Sequence, residues 1–227
     1  MWKYIMWKRG FTKGSFNKIC SYLDLSLSDH GFLRIFWTSL SKLPDNMYRC
    51  NQPYPFQIKK YKKIYNIKTV INLRGERNCS SYYLEKEYCD NNNIKLYNFP
   101  ISSRDLPTKD TIKSFFLLLD KIKYPAIMHC KSGADRAGIA ASLYLIYKKK
   151  YDVFDAAKQL SFKHLHIKYA KTGILDYLFE TAIKKGKNSP HDFIKWINSG
   201  YNKNKLKKSF KPYKFYSFIV DKVLNRE

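Results

Sequence analysis

Short apolar runs alternate with longer amphipathic segments through the middle of the chain. The apolar runs predict strands at Met47 to Cys50, Lys68 to Leu73, Ile94 to Phe99 and Ala126 to His129. The longer segments predict helices at Phe56 to Tyr65, Ser81 to Asn91, Thr108 to Ile122, Ala137 to Tyr147, Asp152 to Lys163 and Ile174 to Lys185. This order predicts an α/β fold.

Because parallel strands need crossover connections, we expect a central, mostly parallel sheet flanked by helices on both faces. Ala126 to His129 is short and apolar behind Pro125, which suits a buried central strand. The alternation covers residues 44–186, which we predict to be one domain. Residues 1–43 form a basic, aromatic N-terminal extension, and residues 187–227 form a basic, aromatic, helical C-terminal extension.

Composition supports a globular domain without a membrane span. Hydrophobic residues make up 44% of the 227 residues, which is enough for a core and excludes a wholly disordered chain. The longest purely apolar run, Phe115 to Leu119, has five residues, far fewer than the roughly 20 that a spanning helix needs. The basic N-terminus has no apolar stretch of the kind found in secretory signals, so we expect a cytoplasmic protein.

The formal net charge is +25, and lysines supply 35 of the 43 basic residues. Such a charge favours a phosphate-bearing or anionic partner, but the lysines are dispersed and accompany abundant Asn, Ile and Tyr, as in AT-rich genomes. No nucleic-acid-binding motif is visible. The terminal segments around Trp7 and Phe210 mix aromatic and basic residues, which predicts either peripheral contact with an anionic membrane or helices packed on the core.

The five cysteines are scattered and have no CxxC spacing, which argues against a disulfide framework and against a zinc site. We therefore expect reduced thiols. The cysteine with the most informative surroundings is Cys130, in the segment Ile127–Gly138. A buried strand delivers Cys130, Gly133 allows a tight turn, and a helix starts at Arg136. Successive backbone N–H groups can then converge at a helix N-terminus, which is a phosphate-binding arrangement.

The same dipoles stabilise a thiolate, so Cys130 is a candidate nucleophile at neutral pH. The planar fork of Arg136 can hold two phosphoryl oxygens during in-line transfer. The alternative is a buried core cysteine, with Arg136 capping a turn. That alternative does not require His129, Gly133 and the strand-loop-helix setting together.

His-Cys-x5-Arg, at residues 129–136, is the signature of the cysteine-dependent protein tyrosine and dual-specificity phosphatases, and the chain resembles compact bacterial dual-specificity members. The similarity runs from about Leu33 to Ile183 and includes Met47–Pro53, Thr69–Gly75, Ser103–Pro107 and Ala170–Gly173. The resemblance implies a phosphatase-type loop between a central strand and a helix. It implies that the phosphate contacts Lys131, Ser132, Gly133, Ala134, Asp135 and Arg136.

The family's general acid is an aspartate on a mobile loop, and Asp105 is the best match. A capping or turn role for Asp105 is the alternative, and Asp110 is the reserve candidate acid. The family usually has Ser or Thr directly after the arginine, where the hydroxyl donates a hydrogen bond to the cysteine sulfur. Ala137 stands there in this chain, so we expect slow breakdown of the phosphoenzyme.

Other polar residues near the loop allow two interpretations each. Lys131 is either a substrate contact, as in lysine-bearing inositol phosphate phosphatases, or a solvated lysine. Asp135 would place a carboxylate on the same rim and repel polyanions. His129 alternates to the side of the strand opposite Cys130, so we expect an orienting residue behind the loop.

Arg74 and Arg77 follow a predicted strand and either face the site or pair with Glu76. His164 and His166 lack a partner at metal-ligand spacing, and we predict structural roles for both.

These features predict a phosphomonoester hydrolase with a cysteinyl-phosphate intermediate and no cofactor or metal. The expected partners are phosphotyrosine-bearing proteins, with phosphoserine and phosphothreonine as further substrates, or small phosphomonoesters. Phosphoinositides, inositol phosphates or an RNA 5′-phosphate are alternative substrates for the same mechanism. A phosphate-reading module with weak catalysis is the alternative from another functional class.

Overall fold

The computed structural model describes residues 7–213 and 216. A five-stranded sheet has the order β1-β2-β5-β3-β4. Its strands are β1 Ser41–Leu43, β2 Met47–Asn51, β3 Thr69–Asn72, β4 Lys95–Asn98 and β5 Ala126–Cys130. β1 pairs antiparallel with β2, and the other pairs are parallel. The predicted α/β fold with a mostly parallel sheet is confirmed.

Helices cover the sheet on both sides. The described helices are α1 Ser15–Leu27, α2 Phe32–Phe36, α3 Pro55–Tyr65, α4 Ser80–Asn91, α5 Lys109–Lys121, α6 Asp135–Lys149, α7 Val153–Ala157, α8 Ile174–Lys184, α9 Pro190–Ser199 and α10 Lys203–Ser209. Thr108 caps α5, because its side chain accepts a hydrogen bond from the Thr111 backbone N–H.

Alternating residues of the central strand divide the core into two layers. Met128 and Cys130 face the larger cluster, which includes buried residues of α5, α6 and α8. Ile127 faces the smaller cluster, which includes buried residues of α3 and α4. The register aligns Asn51 of β2 with Cys130, so both strands end at one sheet edge, and the loop after Cys130 starts there.

The helix predicted for Asp152 to Lys163 is wrong in length. Asp152 caps a helix that ends at Ala157, and a separate 3-10 turn covers Phe162–His164. The backbone carbonyl of Gln159 accepts a hydrogen bond from Arg49 Nη1 at 2.7 Å. Because this carbonyl bonds to an arginine of β2, it faces the sheet, and the backbone around Gln159 does not continue the helix.

Parts of both predicted extensions pack on the core. β1 lies before residue 44 and extends the sheet, and Phe193, Trp196 and Leu206 of the C-terminal helices are buried. The domain boundaries at 43/44 and 186/187 stay predictions, as does the character of residues 1–6, 214–215 and 217–227, which lie outside the described residues. Within the described part of the chain, no helix is both long and apolar enough to cross a bilayer.

Candidate active site

The loop from Lys131 to Ala134 connects Cys130, the last residue of β5, to Asp135, the first residue of α6. Gly133 has a φ of 77°, which favours glycine. A Cβ at this position would lie 2.9 Å from the backbone nitrogen of Asn51. The turn therefore needs glycine both for its backbone conformation and for its close approach to β2.

Cys130 and Arg136 lie at opposite ends of this loop, as the sequence predicts. Cys130 is 2% exposed, and Arg136 is a buried residue in the first turn of α6. The free N–H groups and the dipole at the N-terminus of α6 favour binding of an anion beside Cys130. Ala137 is fully buried directly after Arg136, and its methyl side chain offers no hydrogen bond to the thiol.

Arg49 supports the loop from behind and was missed by sequence reasoning. Its side chain is fully buried, and Nη2 donates to the carbonyls of Gly133 at 2.6 Å and Ala134 at 3.1 Å. Burial lowers the pKa of Arg49 to about 10, while Cys130 and Asp135 oppose that shift. Because the two carbonyls point towards Arg49, the N–H groups of the same peptide planes point the other way. An arginine between Tyr48 and Cys50 in a predicted strand was the available sequence signal.

Asp135 does not present its carboxylate on the rim, so that expectation is wrong. It is 3% exposed, and its Oδ1 lies 2.6 Å from Nδ1 of His166. The other ring nitrogen of His166 lies 2.6 Å from Oδ2 of Asp176. Burial opposes protonation of this imidazole, but the two carboxylates outweigh it and raise the pKa of His166 to about 9. His166 has the structural role predicted for it, and Asp135 can offer the loop only its backbone N–H.

His129 lies behind the loop, on the side of β5 opposite Cys130. Its Nε2 is 2.7 Å from Oε1 of Glu85 in α4, and both side chains are fully buried. The expectation of an orienting residue rather than a base at the reaction centre agrees with this position.

Asp105 lies between β4 and α5, but its carboxylate is held by the C-terminal segment. Oδ2 is 2.7 Å from Nζ of Lys203, and Oδ1 is 3.2 Å from Nζ of Lys207. Partial burial alone would raise the pKa of Asp105, but the two lysines lower it below its usual value. Thr108 caps α5, so the helix-capping alternative for Asp105 is wrong, while the turn alternative stays a prediction. The reserve candidate Asp110 lies exposed in the first turn.

Comparison with known proteins identifies the family of this site. A family model described as a DSP-PTPase phosphatase fused to NAD+ kinase matches residues 60–173, half of the chain, including Cys130 and Arg136. The chain belongs to this DSP-PTPase family. The inositol diphosphatase DSP3 of Arabidopsis thaliana is 33% identical over 108 residues, 44% of this chain and 50% of that protein. The chain thus spans about half the length of this curated relative.

One solved structure supports the fold, and a second shows a similarity only. A DUF442 protein of Shewanella putrefaciens aligns with a TM-score of 0.50 at 18% identity, covering 68% of this chain and 97% of that protein. The core catalytic domain of the PP-IP phosphatase SIW14 from S. cerevisiae aligns with a TM-score of 0.48 at 17% identity, covering 66% of this chain and 94% of that domain.

In this DSP-PTPase chain, Arg74 joins the catalytic core to the N-terminal extension. Its Nη1 and Nη2 donate to Oδ2 and Oδ1 of Asp29 at 2.8 and 2.9 Å. Neither predicted role for Arg74 included this partner. Asp29 also accepts from Arg34 at 2.9 Å and lies 3.8 Å from Nζ of Lys131. Burial alone would raise the pKa of Asp29, but Arg74 and Arg34 hold it well below its usual range.

The DSP-PTPase loop borders a cavity of about 380 Å3 that the sequence did not reveal. Lys131, Ser132 and Asn51 lie at its catalytic side, with Asp29, His30 and Arg34 as further polar residues. Its apolar wall consists of Leu33, Phe36, Trp37 and Leu165. Since three of these four apolar residues precede β1, the N-terminal extension forms part of the space beside the catalytic loop.

Proposed function

We propose that this DSP-PTPase hydrolyses phosphate monoesters through a cysteinyl-phosphate on Cys130. The thiolate attacks phosphorus, the bond from phosphorus to the ester oxygen breaks, and the leaving oxygen takes a proton from Asp105. Water then attacks the phosphocysteine, gives a proton to the Asp105 carboxylate, and releases inorganic phosphate and the thiolate. The observation that carries the proposal is Cys130 at the end of the central strand, next to a loop shaped by Gly133 and Arg49 at a helix N-terminus.

Binding of the phosphoryl group falls to the loop and Arg136. The backbone N–H groups after Lys131 and the guanidinium of Arg136 would surround the equatorial oxygens, whose charge grows during transfer. Arg49 and the Asp135–His166 pair fix the loop, so this geometry costs little reorganisation when substrate binds. Lys131 adds a positive charge beside the nucleophile.

Asp105 acts as the acid only after its ion pairs with the C-terminal segment loosen. An acid must carry a proton at the moment of transfer, whereas Lys203 and Lys207 stabilise its ionised form. The proposed cycle therefore includes movement of the segment Ser102–Pro107 away from α10 and towards Cys130.

The preferred substrate in this proposal is phosphotyrosine in proteins, with phosphoserine and phosphothreonine as further substrates. The cavity favours a phosphate carried by a bulky apolar group, because its wall includes Leu33, Phe36 and Trp37. An inositol phosphate or diphosphate is the second candidate, because the Arabidopsis relative is named an inositol diphosphatase. Asp29 in the same cavity is paired with Arg34 and Arg74, so its charge does not exclude a polyanion.

The test is phosphate release from para-nitrophenyl phosphate in the presence of EDTA. We expect Cys130→Ser to abolish turnover and Asp105→Asn to reduce it about 100-fold, the size of a general-acid contribution. Cys20→Ser, a partly exposed cysteine on α1, is the matched control and keeps full activity. A wild-type protein that binds vanadate but releases no phosphate would favour the phosphate-reading module. Parallel assays on a phosphotyrosine peptide and an inositol diphosphate then rank the two substrate classes.

A further inference from the structure

Large exposed apolar side chains are concentrated in the N-terminal extension. Among the described residues, 19 large hydrophobic side chains are exposed, and ten of them lie between residues 11 and 37. They are Phe11, Phe16, Ile19, Leu23, Leu27, Phe32, Leu33, Ile35, Phe36 and Trp37. Single exposed hydrophobics need no explanation, but a concentration of this kind on a folded protein indicates an interaction surface.

Helix α1 carries apolar residues on two faces. Leu25 is 1% exposed and packs with Tyr54 and Leu84 of the catalytic core. Ile19, Leu23 and Leu27 recur at spacings of four and are 60%, 53% and 68% exposed. The core contact therefore accounts for one face of α1, and the other is an apolar stripe without a partner among the described residues.

Helix α2 brings the apolar surface to the catalytic cavity. Phe36 is 87% exposed, and Leu33 and Trp37 are each at least half exposed. The same three residues line the cavity beside Lys131 and Ser132. A partner that covers α2 would therefore meet the mouth of the active site.

The charges of this segment favour an anionic partner. Between residues 7 and 42 the two carboxylates, Asp24 and Asp29, have side chains only 9% and 11% exposed and pair with arginines. Lys8, Lys13 and Lys42 are exposed. The exposed side chains of residues 7–42 thus include many apolar and several basic ones but no carboxylate, on a chain of net charge +25. The lysines of two such surfaces would repel each other, which disfavours self-association relative to an anionic partner.

We propose that the face formed by the exposed apolar residues of α1 and α2 docks on an anionic lipid bilayer. Aromatic and aliphatic side chains would enter the interface while the lysines contact anionic headgroups. The Asp29–Arg74 pair ties the extension to the core, so docking would also orient the cavity towards the headgroup layer. Docking itself does not depend on phosphatase activity. The consequence that membrane-borne phosphomonoesters reach Cys130 rests on the proposed function.

The test is sedimentation of the full chain with phosphatidylcholine vesicles, with and without phosphatidylglycerol, at moderate salt. We expect binding only to the anionic vesicles. Leu23→Ser/Leu27→Ser removes two exposed residues outside the cavity and should weaken partitioning at least about tenfold. Leu117→Ser, 68% exposed on α5, is the matched control and should bind like wild type.

Three results would overturn the proposal. The first is no binding to anionic vesicles, and the second is unchanged binding of the double variant. The third is a wild-type protein that light scattering shows to be an oligomer and a double variant that is a monomer. The last result would assign the face to a second copy of the chain. Circular dichroism and activity on para-nitrophenyl phosphate confirm that the double variant is folded, so loss of vesicle binding is separable from loss of catalysis.

Discussion

Nζ of Lys203 lies 2.7 Å from Oδ2 of Asp105, which ties the proposed general acid to helix α10. Lys207 contacts the other carboxylate oxygen at 3.2 Å, and the hydroxyl of Tyr201 donates to the carbonyl of Pro107 at 2.7 Å. Three contacts from one C-terminal segment thus hold the segment that carries Asp105. The stability of this conformation and the protonation of the acid are coupled.

Replacing both lysines should therefore change the pH dependence of turnover. In Lys203→Ala/Lys207→Ala the carboxylate loses the two groups that lower its pKa, so the pKa of Asp105 rises. A general acid works in its protonated form, and the basic limb of the kcat profile should move to higher pH. We expect the rate at neutral pH to rise about two- to tenfold.

The measurement is a kcat profile from pH 4 to 9 on para-nitrophenyl phosphate, with Lys208→Ala, an exposed lysine of the same helix, as control. An unmoved basic limb in the double variant would contradict the role given to Asp105. A fall in kcat at every pH would mean that α10 holds the loop in its working position.

Gly133→Ala should damage both stability and activity. The alanine backbone would have to adopt a φ of 77°, and its Cβ would lie 2.9 Å from the backbone of β2. Gly186→Ala is a matched control, because Gly186 has a φ of 68° but no atom within 4 Å of the added Cβ. We expect the free energy of unfolding to fall by about 1 kcal/mol in the control and by at least about 2 kcal/mol more in Gly133→Ala. Urea denaturation gives both values, and equal losses would show that the approach to β2 is unimportant.

The buried His166 should make stability depend on pH. Its pKa is raised from 6.5 to about 9 by Asp135 and Asp176, against the effect of burial. A raised pKa contributes stability that is fully present below pH 6.5 and is lost as pH rises towards 9. The free energy of unfolding should fall by up to about 3 kcal/mol over this range.

Urea denaturation at pH 6 and pH 9 measures this change, and His166→Gln should lose most of the difference. His191→Gln, a histidine of α9 that lies away from both carboxylates in sequence, serves as control. The same slope in wild type and His166→Gln would show that another group is responsible.

Ala137→Ser should speed the second chemical step. A hydroxyl directly after Arg136 could donate to the sulfur of Cys130 and stabilise the departing thiolate. We expect faster loss of the phosphoenzyme, by about tenfold, with a smaller effect on its formation. Single-turnover kinetics separate the steps, and an unchanged breakdown rate would remove Ala137 as the cause of slow hydrolysis.

The phosphate loop and most of the sheet were predictable because their signals are local. The β-branched run around Val70 and the short apolar run around Ile127 mark strands, and Thr108 marks the start of α5. The order Cys130, Gly133, Arg136 encodes a turn between a buried strand and a helix. Each of these features depends on residues within one element or at its ends.

The rest depended on contacts between residues far apart in the sequence. Arg49 meets Gly133 across 84 positions, and Asp29 meets Arg74 across 45. β1 has only three residues and exists because β2 offers it an edge. Asp135 turned inward because His166, from a later segment, supplies its partner. A local sequence pattern contains no information about such distant partners. For the same reason, the sequence did not indicate that α2 contributes to the cavity wall.

The most direct test of the account is rapid quenching of the protein with para-nitrophenyl phosphate, followed by mass spectrometry of the peptide that contains Cys130. We predict a phosphoryl group on that cysteine during turnover. This phosphoryl group is lost by hydrolysis when the substrate is exhausted. Turnover with no phosphate on Cys130, or with undiminished rate in Cys130→Ser, would contradict the cysteinyl-phosphate mechanism.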